Sequence, residues 1–205
     1  MVDKLEQAKT EELILNAARL VFTQRGYNGA RMQEIADEAG INKALLHYYF
    51  RSKDKLFEII FTEAINQLLG RINEVIKTKG SLLDKVSVIV DLYIAGLMEK
   101  PFIPIFVLHE MSQDPEKVAQ RFLNSANMPD VKQFLKEVDA EIKKGHIKEF
   151  DPEQLFINVV SLCIFPFVAK PMIKGVLRKN EMEFRLMMQE RKREVVKFIT
   201  AALQP

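Results

Sequence analysis

From Ile14 onward the apolar residues return in steps of three and four, and no strand-favouring run punctuated by turns interrupts them. That spacing confines the chain to an all-α fold. Ile14, Ala17, Ala18, Val21 and Phe22 form the first stripe, which Thr10 is expected to cap and Gly26 to stop. Met32, Ile35, Ala36 and Ala39 make a short second stripe, closed by Gly40. Asn42 suits the cap of a third helix running to Phe50, and Ser52 the cap of a long fourth one. Phe61, Ile65, Leu68, Ile72 and Val75 carry the fourth stripe towards Lys79 and Gly80. Ser81 and Asp84 open a fifth helix with Val86, Ile89, Val90, Tyr93 and Leu97, which Pro101 and Pro104 are expected to break.

The second half continues the pattern. Pro115 and Pro129 restart short helices, and Phe134, Leu135, Val138 and Ile142 form a stripe ended by Gly145. Asp151-Pro152 opens a helix that is apolar nearly all round, predicted to be buried on most sides and kinked at Pro166. A last helix, from about Asn180 to Leu203, has Leu186, Val195, Phe198 and Ile199 for its buried side. The expected division is along the fourth helix near residue 55, into a short helical domain at 1–55 and a larger helical domain at 56–205.

Charge and cysteine usage narrow the function. A net charge of +2 on 205 residues is too small for a protein that coats nucleic acid, but it allows a local basic patch. The lone Cys163 excludes an internal disulfide and a cysteine-rich metal site, and fits a reducing cytoplasm. The N-terminus lacks the apolar stretch of a signal peptide, and Leu155 to Val168 is too short and interrupted for a membrane span. The three histidines, His47, His109 and His146, lie far apart, with no paired His-Glu metal motif, phosphate loop or Gly-rich nucleotide turn. No enzyme, cofactor or metal is therefore expected. A helical scaffold accounts for the helices, but not for where the cations cluster.

That cluster lies at 43–55, where Lys43, Arg51, Lys53 and Lys55 face the single acid Asp54. At about 100° per residue, Lys43, Ala44, His47 and Tyr48 share one side of the third helix. Leu45, Leu46, Tyr49 and Phe50 share the other, which is apolar and is expected to face the bundle. Two short helices around Gly40 and Ile41 fit a helix-turn-helix whose second member reads DNA. Small Ala44 permits close approach, Lys43 and His47 can donate to purine acceptors, and Tyr48 can reach base or phosphate. His47 would also make binding pH-sensitive. Pattern alone leaves open an ordinary helix pair with a solvated basic face.

The run Gly40-Ile41-Asn42-Lys43-Ala44-Leu45-Leu46-His47-Tyr48-Tyr49-Phe50-Arg51-Ser52-Lys53-Asp54-Lys55-Leu56 resembles the signature of the TetR family of repressors. Gly26-Tyr27 and Gln33-Glu34-Ile35-Ala36 with Ala39 are similar to its upstream part. The resemblance implies a homodimer on a near-palindromic double-stranded operator, released by a small-molecule inducer. It places major-groove contacts at Gln33, Lys43, Ala44 and His47, and phosphate contacts at Tyr48, Tyr49 and Lys53. Three positions depart from the family pattern. Ala30 and Arg31 stand where a capping Thr is common, and there Arg31 can add a phosphate contact. Leu45 replaces a Thr, and His47 a Tyr.

The resemblance also implies that the helix after Pro152 and the final helix pair with their copies in a four-helix bundle. Residues 81–178 are rich in Phe and Met, and Met98, Phe102, Phe106, His109, Phe165 and Phe167 are candidates for a ligand-pocket wall. Ordinary core packing is the alternative for the same residues. An apolar wall with few polar groups would suit an apolar or amphipathic ligand.

Overall fold

Most helices begin where the sequence supplies a capping oxygen. The computed structural model describes residues 2–125 and 127–204, except the side chains of 2–5, 109, 113, 117 and 121. The described residues form α1 (Val2–Gly29), α2 (Met32–Glu38), α3 (Lys43–Tyr49), α4 (Lys53–Lys77), α5 (Leu82–Glu99) and α6 (Phe102–Gln113). These are followed by α7 (Pro115–Leu123), α8 (Val131–Lys143), α9 (Pro152–Val168), α10 (Lys170–Val176) and α11 (Glu181–Leu203). The described residues contain no strand. Asn42 accepts from the Leu45 amide at 2.8 Å, Ser52 from Lys55 at 3.2 Å and Ser81 from Asp84 at 3.1 Å. Asn180 and Glu183 cap each other reciprocally at the start of α11.

Two expected boundaries move. Thr10 does not cap α1, because the helix starts upstream and the Thr10 hydroxyl donates back to the Glu6 carbonyl at 2.9 Å. Pro104 lies in the first turn of α6, where its missing N–H would have no intrahelical partner anyway. Gly26 does interrupt α1, with φ 67° and ψ 175°, and one further turn follows it.

The chain divides into two compact units, Met1–Ile65 and Asn66–Pro205. The division falls on α4 beyond residue 55, because the first turns of that helix bury Leu56, Phe57, Ile60 and Phe61 within the N-terminal unit. Those side chains share its core with Ile14, Ala18, Phe22, Ile35, Leu46 and Phe50. Phe57 anchors the cluster, with its ring 4.7 Å from Phe22 and 4.9 Å from Tyr27, both edge-on.

In the second unit α5 lies at the centre, against α6, α8, α9 and α11. It buries Val86, Ile89, Val90, Ile94 and Leu97. Lys85 is buried on the same helix, and its ammonium donates to the Ile76 carbonyl at 2.8 Å and to Glu137 at 2.6 Å. A buried ammonium persists only when paired in this way. Pro166 lies inside α9 and cannot donate to the Leu162 carbonyl four residues back. Arg191 of α11 supplies the missing donor, with its Nε 2.9 Å from that oxygen. Among the described residues no single helix is long and apolar enough to cross a membrane; α9 and α10 reach that length only as a pair bent by 72°.

Candidate functional site

The helix-turn-helix is built around α3. Gly40, with φ 65°, turns the chain after α2 in a conformation L side chains seldom adopt. Leu46 and Phe50 seat α3 in the N-terminal core. Lys43, Ala44, His47 and Tyr48 face solvent, as do Arg31 and Gln33 on the α2 side. Tyr49 is half-buried, with its ring edge-on to Tyr48 at 5.4 Å. Glu34 accepts from the Arg31 amide at 3.1 Å, so one half of the cap survives the loss of a capping hydroxyl.

Leu45 was expected to point inward, yet it is 36% exposed. On a seven-residue helix the buried arc centres on Leu46, Phe50 and Tyr49, and Leu45 falls at its margin. The exposed surface of α3 therefore contains an aliphatic side chain beside its polar ones.

Lys53 is also placed differently from a free phosphate-binding cation. Its ammonium donates to the carbonyls of Tyr27 at 2.9 Å and Ala30 at 3.2 Å, and lies 4.4 Å from the centroid of the Tyr27 ring. The Tyr27 hydroxyl in turn donates to Asp54. Together these contacts lock the turn after Gly26 to the start of α4. The signal for this clamp was present in the sequence as an aromatic directly after a turn glycine, but nothing local paired it with Asp54. Replacing Lys53 with Met, which keeps the stem and removes the donors, is expected to destabilise the protein by about 2 kcal/mol in urea unfolding. Unchanged stability would mean that the clamp carries no energy.

The second unit holds an apolar cavity of about 210 Å³. Leu69, Ile72 and Ile76 of α4 and Val86, Ile89 and Tyr93 of α5 form one part of its wall. Val131 and Phe134 of α8, Phe156, Val159, Val160 and Ile164 of α9, and Phe122, Met128 and Pro129 complete it. None of the expected Met98, Phe102, Phe106, Phe165 or Phe167 is among these described wall residues. Phe102, Phe106 and Phe167 are buried core, Met98 is half-buried, and Phe165 is 55% exposed. The His109 side chain lies outside the described residues. Tyr93 is the wall residue whose polar group matters, because burial, followed by the influence of Cys163, pushes its phenol up to about 12. It is a neutral donor. Cys163 is buried, and burial likewise pushes its thiol up to about 12, which leaves it a poor nucleophile.

A third feature is a set of exposed apolar side chains on the last long helices. Ile157 and Phe165 of α9 are 49% and 55% exposed. On α11, Val195 and Ile199 are buried as expected, whereas Leu186 and Phe198 are 50% and 65% exposed. Among the described residues no group of His, Cys, Asp or Glu side chains is arranged to hold a metal ion.

Residues 14–60 match the family model described as bacterial regulatory proteins, tetR family. The chain is 29% identical over 82 residues to the HTH-type transcriptional repressor KstR2 of Mycolicibacterium smegmatis, a match covering 40% of each chain. It is 26% identical over 140 residues to the fatty acid metabolism regulator protein of Bacillus subtilis, covering 66% of this chain and 70% of that one. Among solved structures, the transcriptional regulator FadR from Bacillus subtilis in complex with stearoyl-CoA superposes with a TM-score of 0.60 at 19% identity. That superposition covers 93% of this chain and 98% of the other, and it establishes likeness of fold.

Proposed function

Because the chain belongs, through residues 14–60, to the tetR family of bacterial regulatory proteins, we propose that it represses transcription by binding a near-palindromic operator as a homodimer, and that a small apolar or amphipathic molecule releases it. The observation that carries the DNA-binding part is the two-sided α3. Leu46 and Phe50 fix the helix from within while Lys43, Ala44, His47 and Tyr48 stand free of the core. Gln33, Lys43 and His47 offer donors to base edges, and Ala44 leaves room for approach. Leu45, exposed at the margin, adds an apolar contact suited to a thymine methyl. Arg31, Tyr48 and Tyr49 are the phosphate-side groups. Lys53, committed to two carbonyls, contributes first by holding the α4 N-terminus in place.

The homodimer is supported by the large apolar side chains Ile157, Phe165, Leu186 and Phe198, which α9 and α11 leave exposed in the single chain and which an interface between copies would cover. The ligand part is supported by the apolar cavity, which is the form a small-molecule site takes. Its wall includes Leu69, Ile72 and Ile76 of α4, the same helix whose first turn carries Lys53 and Asp54.

The test is equilibrium binding to DNA from the region upstream of the protein's own gene, across a salt series. A specific site is expected, at least about 1,000-fold tighter than bulk DNA, with affinity falling steeply as salt rises. Equal affinity for the upstream region and for unrelated DNA at every salt concentration would refute the proposal.

A further inference from the structure

The cavity in the second unit has one side chain bearing an oxygen in its described wall, and we propose that it selects an uncharged apolar ligand carrying a single hydrogen-bond-accepting oxygen, bound by the Tyr93 hydroxyl. This rests on reading the cavity as the effector site, and adds the chemistry of the effector.

Three observations lead there. The first is the wall itself: around Tyr93 it is Leu, Ile, Val, Phe, Met and Pro, with no charged side chain among the described residues. A ligand carboxylate lodged inside would lie desolvated and unpaired, which an apolar site does not tolerate. The second is the state of the neighbouring cation. Lys85 adjoins the wall residue Val86, but its ammonium is held by the Ile76 carbonyl and by Glu137, so its charge is already matched. Gln133 reinforces that arrangement, with its amide 3.1 Å from Glu137.

The third is Tyr93. Among the described residues its hydroxyl has no hydrogen-bond partner. An unsatisfied donor in apolar surroundings gains from any acceptor brought to it. A phenol is protonated at neutral pH, and burial raises that of Tyr93 further, so it donates to an oxygen lone pair. Size sets the scale of the ligand. Apolar cavities of about 150 Å³ accept benzene, so about 210 Å³ suits one ring with a short substituent, or an aliphatic group of similar bulk.

Three probes of nearly equal size separate the possibilities: acetophenone, 2-phenylpropene and benzoate. Each is titrated into the full-length protein without DNA, followed by ligand-observed NMR, in the native sequence and in Tyr93→Phe. The ketone costs more to desolvate than the alkene, so the change on substitution decides, not the absolute affinity. Loss of the hydroxyl should weaken acetophenone about three- to tenfold and leave 2-phenylpropene unchanged, with no saturable benzoate binding to either protein. Equal effects on ketone and alkene, or benzoate binding as well as acetophenone, would overturn the proposal. A second measurement needs no variant. The carbonyl carbon of bound acetophenone should resonate downfield of its position in cyclohexane, and a shift equal to the cyclohexane value would overturn the hydrogen bond. Because no DNA is present, these failures bear on the ligand's chemistry alone. Intact probe binding with unchanged operator affinity would instead count against the effector role.

Discussion

Replacing Ala44 with Glu is expected to abolish specific DNA binding, with operator affinity falling by about 100-fold or more. The effect is steric and electrostatic at once. Ala44 is exposed on α3 beside Lys43 and His47, where its small side chain leaves the helix free to approach base edges. A glutamate there adds length where approach is needed and a negative charge facing a polyanion. The substitution touches nothing in the core, which α3 enters through Leu46 and the following Phe50, so thermal stability should move by no more than about 0.5 kcal/mol. Fluorescence anisotropy on operator DNA, with a melting curve on the same sample, gives both quantities. Normal affinity in a folded Ala44→Glu protein would remove α3 from the DNA interface.

The second large effect concerns assembly. Phe165→Glu combined with Phe198→Glu should convert a dimer to a monomer by light scattering at micromolar concentration. Both side chains are more than half exposed in the single chain, so neither change opens a hole in the core. Each buries a charge if the α9–α11 face meets its copy, and an unpaired charge in such an interface is prohibitive. Operator affinity should fall with assembly by about two to four orders of magnitude, because a second DNA-binding unit no longer arrives already tethered. A double variant that still scatters as a dimer would move the interface elsewhere.

Much of the fold was legible because apolar periodicity reports the face of a helix. The stripe from Ile14 to Phe22 turns inward where the spacing placed it, as do Val86, Ile89, Val90 and Leu97 of α5 and Phe134 and Val138 of α8, while Tyr93, Leu135 and Ile142 are half-buried. The same periodicity does not say which surface covers an apolar face. Leu186 and Phe198 fit the stripe of the last helix as well as Val195 and Ile199 do, yet only the latter pair is buried in the single chain. Leu45 was misplaced for a related reason, since a helix of seven residues has too few turns for an arc at its margin to be assigned from angles alone.

The cavity was the least legible part. Its expected wall followed Phe and Met content, whereas the observed wall is dominated by branched aliphatic residues from α4, α5 and α9. Composition does not distinguish a packed aromatic from one beside a void; that depends on which helices fail to close on each other. Tyr93 stood within an apolar stripe in the sequence, and its polar tip acquired meaning only once the space beside it was known.

If two copies of this helix-turn-helix grip DNA together, a hydroxyl-radical footprint of the protein on its own upstream region records both. The expected pattern is two protected half-sites related by inverted symmetry, centred about one helical turn (10–10.5 base pairs) or a multiple of it apart. A single protected patch, or protection spread evenly along the fragment, would contradict the account.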